Sequence, residues 1–175
     1  MGKDKDGNIV EGEEQITKSH RQFERIYYKE EPKVLKEVIE AIENADLIIF
    51  SMGSLYTSIL PNIICKEVKN ALKHSKAPIM YLCNFVTQPG ETDGFTVSDH
   101  VSLLNRYLET KKIDVVIASN TKINKEYAEK YSTAEQKEPV KIDHKNIEKL
   151  GVEDNILRHN SLKLSSLIFS YLMRN

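Results

Sequence analysis

A chain of 175 residues is long enough for one domain with a sizeable core, burying roughly 70% of the surface its unfolded form would expose. Its 25 Lys and Arg against 26 Asp and Glu leave a formal net charge of −1, which gives no electrostatic basis for binding nucleic acid or an anionic membrane surface. No run approaches the roughly 18 apolar residues of a membrane span, and the opening MGKDKDGNIVEGEEQITKSH is polar throughout, so neither membrane insertion nor a signal peptide is expected and the cytoplasm is the expected compartment.

Taken in chain order, DGNIVEG (6–12) reads as a small hairpin or edge strand and residues 23–28 as another short strand. Pro32 is placed to be the first residue of a helix, with Leu35, Val38, Ile39, Ile42 and Ala45 on one face. Residues 47–50 form a short apolar run of the kind buried in parallel sheets. After Pro61, Ile64, Val68, Ala71 and Leu72 make a second helical face. A second apolar run covers 79–83, followed by a helix with Val97, Val101, Leu104 and Leu108 inward; a third run covers 115–118. A helix is expected near 125–131. The last helix turns Leu164, Leu167, Ile168, Tyr171 and Leu172 to one side, with Asn160 or Ser161 as its N-cap.

The three apolar runs begin 32 and 36 residues apart (47 to 79, 79 to 115), about one βαβ unit each. The expected fold is therefore α/β, a Rossmann-like, doubly wound and mostly parallel sheet with flanking helices, the whole chain forming a single sheet and a single domain. Cys65 and Cys83 both lie in apolar stretches without a CxxC, and read as buried, reduced thiols.

Such a sheet binds ligands at the carboxyl ends of its strands, and two of the loops there are unusual. In Ser51-Met52-Gly53-Ser54-Leu55-Tyr56-Thr57-Ser58, a glycine and several hydroxyls crowd the start of a helix. This reads either as a capped strand-to-helix turn or as a cradle for phosphate or another anion. The second loop, NFVTQPGETDGF (84–95), is long for a βα connection, yet Phe85, Val86 and Phe95 argue that it is ordered. Thr96 with Asp99 has the spacing of a capping box; Asp99 and His100 suit either a catalytic role or this capping role, and Glu91 and Asp93 either a metal site or a solvated surface. The two loops are expected side by side at the ends of adjacent parallel strands, within about 10 Å.

GSLYTSILPN (53–62) followed by APIMYLCNFVTQPGETDGFTVSDHV (77–101) resembles the signature region of the YvcK-type gluconeogenesis factors, in the superfamily of the 2-phospho-L-lactate transferase CofD. AIENADLIIF (41–50) and ILRHN (156–160) match in order and approximate spacing. The resemblance implies a Rossmann-like domain holding a nucleotide-linked ligand across its strand ends. Its transferase branch forms a phosphodiester with a metal ion and releases a guanine nucleotide. Its gluconeogenesis-factor branch binds UDP-sugars, is needed for cell shape and envelope synthesis on gluconeogenic carbon, and has no established reaction. The match is to the second branch.

The resemblance implies ligand contacts at Gly53, Ser54, Leu55 and Thr57, at Asn84, Thr87, Gln88, Glu91 and Thr92, and, on the stretches EKYSTAEQKEPV and ILRHN, at Tyr131 and Arg158. Arg158 suits a charge-assisted phosphate contact or, equally, a surface ion pair; Tyr131 suits a half-buried helix aromatic, and His159 a structural or solvent-facing role. No cofactor is assigned, and Mg²⁺ enters only with a phosphotransferase alternative, for which Glu91, Asp93 and Asp99 are the carboxylates at hand. The family's GPGS is Ser51-Met52-Gly53-Ser54 here, its RHD is Arg158-His159-Asn160, and its opening GGGTG loop is absent. The chain is therefore expected to correspond to the C-terminal portion of a longer family domain, a truncated form completed by a missing N-terminal part or by a homo-oligomer.

Overall fold

The structure, a computed structural model, describes residues 1–119, 132, 136–149, 153–157 and 161–174. The chain opens with a three-stranded antiparallel sheet, β1 (Gly2–Asp4), β2 (Ile9–Val10) and β3 (Phe23–Ile26), in the order β2-β1-β3. Asp4 closes the hairpin. Its carboxylate accepts the backbone N–H groups of Asp6 and Asn8, the Asn8 side-chain amide and the Arg21 guanidinium, all at 2.8–3.0 Å. Together these bonds hold its pKa below the ordinary value against the opposing effect of burial. The expected hairpin is present, with its second strand inside residues 6–12 and its first, β1, nearer the N-terminus. Helix α1 (Glu13–Lys18) was not anticipated, because its one buried residue, Ile16, leaves no apolar periodicity to read.

The second sheet is wholly parallel, β4 (Ile48–Phe50), β5 (Ile79–Leu82), β6 (Val115–Ser119) and β7 (Glu153–Leu157), in that spatial order. The fold is thus the expected α/β parallel sheet flanked by helices. The correction is that β1–β3 form a sheet of their own: they satisfy their ladders with one another and contribute Phe23 and Ile26 to the shared core by packing. The helices are α2 (Lys36–Glu43), α3 (Leu60–Ile64), α4 (Lys66–His74), α5 (Val97–Leu108), α6 (His144–Lys149) and α7 (Ser161–Leu172).

Strand alternation divides the core. Ile79, Tyr81, Cys83, Val116 and Ala118 face one way and pack with Leu60 and Ile63 of α3 and Val97, Val101 and Leu104 of α5. Met80, Leu82, Val115 and Ile117 face the other way and pack against Leu164, Leu167, Ile168 and Tyr171 of α7, the face its sequence indicated. Each large side chain fully removed from water contributes about 1.5–3 kcal/mol, so the residues of β5, all buried, anchor the sheet. Cys65 and Cys83 are free and buried, and burial pushes the Cys83 thiol up to about 12.

Two helix boundaries differ from the sequence reading. The helix after Pro32 begins only at Lys36, because Leu35 is extended (ψ 141°). The helix after Pro61 is split at Cys65, also extended (ψ 123°), where Glu31 reaches in to accept the Lys66 backbone N–H at 2.7 Å and starts α4 afresh. Residues 125–131 and Asn160 lie outside the described residues. No described helix is long and apolar enough to cross a membrane.

Candidate functional site

Strands β4 and β5 are parallel neighbours, so the loops that follow them emerge side by side, as expected. In the first, Ser54 caps a wide π-helical turn, Leu55–Ile59, that runs on into α3. Its hydroxyl accepts the Thr57 N–H at 3.2 Å, and its carbonyl accepts the N–H groups of both Ser58 and Ile59 at 3.0 Å. Gly53 makes the approach possible: a Cβ there would stand 3.0 Å from that of Ser58.

The second loop is folded on itself and clamped from both sides. The Gln88 carbonyl accepts the N–H groups of Glu91 and Thr92, and the Thr92 hydroxyl accepts the Gln88 N–H at 2.8 Å. Thr87 exchanges backbone and side-chain bonds with Glu138, and the Phe85 carbonyl accepts the Val140 N–H. Gly90 turns at φ +80° directly beneath the N-terminal segment; a Cβ there would lie 2.1 Å from the His20 backbone.

Two hydrogen bonds join the loops. The Asn84 amide donates to the Gly53 carbonyl at 3.0 Å while accepting from the Tyr81 hydroxyl at 3.0 Å. The Ser54 hydroxyl donates to Glu91 Oε2 at 2.6 Å. Glu91 is only 2% exposed, and its Oε1 has no hydrogen-bond partner. Burial therefore raises its pKa above the ordinary 4.5, with the Ser54 hydroxyl and the Tyr56 backbone amide pulling the other way. A helix start with a serine hydroxyl is a place for an anion, and the anion now beside it is the chain's own Glu91 carboxyl.

The sequence-derived contacts fall into three groups. Gly53, Ser54, Thr57, Asn84 and Gln88 are half-buried and reachable from solvent; Thr57 also lines a hollow of about 200 Å³ with Ile16, Tyr28, Tyr56 and Pro61. Leu55, Thr87, Glu91 and Thr92 are buried, Leu55 in the apolar core and the other three in the loop's internal bonding. Tyr131, Arg158 and His159 lie outside the described residues. Sequence reasoning missed Tyr81, whose hydroxyl orients Asn84, and Gly90; the positive φ that Gly90 serves was signalled only by the PG pair.

The groups weighed for catalysis have other work. Thr96 and Asp99 form the expected capping box. His100 is fully buried: its Nδ1–H donates to the Thr96 carbonyl at 2.8 Å, its ring stacks on Tyr81 and meets the edge of Phe95, and its Nε2 has no partner. Burial lowers its pKa from 6.5, so it is a neutral packing residue. Glu91, Asp93 and Asp99 are bonded separately to Ser54, the Gly90 N–H and Thr96, and among the described residues no three His, Cys, Asp or Glu side chains gather to hold a metal ion.

The sequence profile of a family described as 2-phospho-L-lactate transferase CofD matches residues 1–158. The chain is 41% identical to a putative gluconeogenesis factor of Thermotoga maritima, over 93% of this chain and 55% of that protein. It is 34% identical to the gluconeogenesis factor of Bacillus subtilis, over 95% of this chain and 56% of the relative. Among solved structures, a UPF0052-family protein from Bacillus halodurans superposes with a TM-score of 0.89 at 37% identity, covering 96% of this chain and 57% of the other. The chain thus spans about half the length of the curated relatives it matches.

Proposed function

This chain belongs to the CofD family, in its gluconeogenesis-factor group, and on that premise we propose that it binds a nucleotide-sugar, a UDP-sugar, across the carboxyl ends of β4 and β5. The observation that carries the reading is the pair of loops locked edge to edge by Ser54–Glu91 and Asn84–Gly53. They present half-buried polar groups at Gly53, Ser54, Asn84 and Gln88 on a rigid rim, which suits recognition more than turnover. The ligand's phosphates would meet the Ser54 turn and compete there with the Glu91 carboxyl, with Arg158 supplying the charge-assisted contact. In the cell this is a cytosolic sensor of nucleotide-sugar supply, serving cell shape and envelope synthesis under gluconeogenic growth. A homo-oligomer through the outer edge of β4, where Ile49 and Met52 are exposed, belongs to the same reading and is checked by sedimentation.

The test is calorimetric titration with UDP-glucose, with and without Mg²⁺, followed by phosphorus NMR for turnover. Saturable binding without turnover is the expected result, with Arg158→Ala weakening it by about 1.5–3 kcal/mol, the scale of a hydrogen bond to a charged group. Absence of saturable heat would end the proposal. Mg²⁺-dependent cleavage of a nucleoside diphosphate compound would instead establish the alternative, a phosphotransferase resembling the enzyme for which the family is described.

A further inference from the structure

We propose that a second binding site, for a small phosphorylated molecule carrying at least two negative charges, lies in the cleft between the antiparallel sheet, the start of α4 and the far end of α5. The cleft encloses about 880 Å³, within the roughly 300–1,000 Å³ typical of small-molecule sites. Arg106, on its α5 wall, stands nine residues beyond Val97 (106 − 97), about 14 Å along the helix from the ligand loops at its other end. The two sites are separate.

The charges in this cleft do not balance. Across the β1–β3 ladder, Lys3 is registered directly opposite Arg25, and both are exposed. Like charges facing one another on neighbouring strands destabilise a sheet unless an anion lies between them. Three carboxylates line the same cleft: Glu109 pairs with Lys69 at 2.7 Å, while Glu31 accepts the neutral Lys66 backbone N–H and keeps its charge. Glu24 and Glu31 are left to face Lys3, Arg25, Lys66 and Arg106, none of which has an ion pair among the described residues. The guanidinium groups of Arg25 and Arg106 lie over the rings of Tyr27 and Tyr107, 5.7 and 5.9 Å from the centroids. Stacking leaves a guanidinium's N–H edge available to bind oxygen. The walls are fixed to each other, since the Ile26 N–H donates to the Tyr107 hydroxyl at 3.0 Å. Four cations without an ion pair against two carboxylates leave the cleft with an excess of two positive charges on tied walls, which calls for a multivalent anion; a phosphoryl group accepts the two-pronged bonds that arginine offers.

Inorganic pyrophosphate is the probe, titrated into the full chain while backbone amide signals are followed by NMR at constant ionic strength. The expected result is a saturable shift at the amides of Arg25, Tyr27, Lys66 and Arg106. The paired change Arg25→Ala with Arg106→Ala weakens it about tenfold or more, the Arg-to-Lys pair weakens it less, and Ser54→Ala leaves it intact. If the alanine pair fails to fold, the exposed Lys3→Glu change alone carries the same expectation of weaker binding. No saturation at millimolar pyrophosphate, an equal shift with chloride, or undiminished affinity in folded Arg25→Ala/Arg106→Ala or Lys3→Glu protein would each overturn the proposal. The readout is local to the cleft, so it stands or falls apart from UDP-sugar binding at the loops.

Discussion

At one end of α5, in the loops after β4 and β5, the polar groups are used up on one another: Ser54 on Glu91, Asn84 on Gly53 and Tyr81, Thr92 on Gln88, Thr87 on Glu138. At the other end, in the cleft beside β1 and β3, the Ile26 N–H and the Tyr107 hydroxyl are bonded to each other but four cations have no ion pair among the described residues. In the loops a buried carboxyl is held by a neutral hydroxyl with one oxygen bare; in the cleft exposed cations face each other across a ladder. The difference teaches two ways to recognise a binding region. Hydrogen bonds spent internally fix a shape that a ligand then reads, whereas uncompensated charge marks a partner still to come.

If the loop end is a fixed shape, changes to its internal bonds must cost stability. Gly90→Ala has the largest expected effect. It forces a Cβ to 2.1 Å from the His20 backbone at φ +80°, and strain with displacement of the N-terminal segment should cost about 3 kcal/mol or more in urea unfolding. A loss under about 1 kcal/mol would mean that the loop does not rest on residues 20–21. Asn84→Ala comes next, since it leaves both the Gly53 carbonyl and the Tyr81 hydroxyl without their partner, at about 1–3 kcal/mol.

The pH dependence of stability sharpens the contrast, because both orphaned polar atoms lie at the loop end. The His100 pKa is lowered in the folded chain, so below the ordinary 6.5 the unfolded chain takes up a proton that the folded one does not, and stability falls. The Glu91 pKa is raised above 4.5, so as pH falls through the folded value the buried carboxyl is neutralised and stability is regained. The two trends oppose. Glu91→Gln removes the regained part, and its urea midpoint should drop more steeply than the parent's as pH falls from the ordinary 6.5 of histidine toward the ordinary 4.5 of glutamate. Parallel profiles for the two proteins would show that Glu91 does not titrate in that window.

What could be read from the sequence divides along the same line. The apolar runs of β5 and β6 were legible because buried parallel strands are apolar on both faces, β4 because its run stays apolar although it forms the partly exposed edge, and the loops because they break that rhythm with glycine and hydroxyls. Strand β7 was not, because EDNIL carries too few apolar residues to stand out from a connection. The break at Cys65 has no local glycine or proline; Glu31, thirty-five residues away in the count of the Lys66 bond, caps the restarted helix. The sequence marks Glu91 as a ligand contact, but its bond to Ser54 spans 37 positions and only the folded chain reveals it. The cleft was invisible for a related reason. Lys3 and Arg25 are unremarkable in a near-neutral chain, and only strand register makes them neighbours.

The smallest expected effect tests that register directly. If Lys3 and Arg25 repel across the β1–β3 ladder, replacing one with a neutral residue that favours strands should stabilise the empty protein. Lys3→Thr is the suitable change, because Lys3 is exposed and has no ion pair among the described residues, so little else is lost. The expected gain is about 0.2–1 kcal/mol at low ionic strength. Salt should erase it, since the Debye length contracts from about 30 Å at 0.01 M to about 3 Å at 1 M and screens exposed charges first. Saturating pyrophosphate should reverse its sign, because the parent then gains a bound anion that the variant holds less well. A Lys3→Thr protein that is less stable than the parent at low salt would mean that Lys3 contributes favourable packing along β3, and that the charge imbalance in the cleft is already relieved by its solvent.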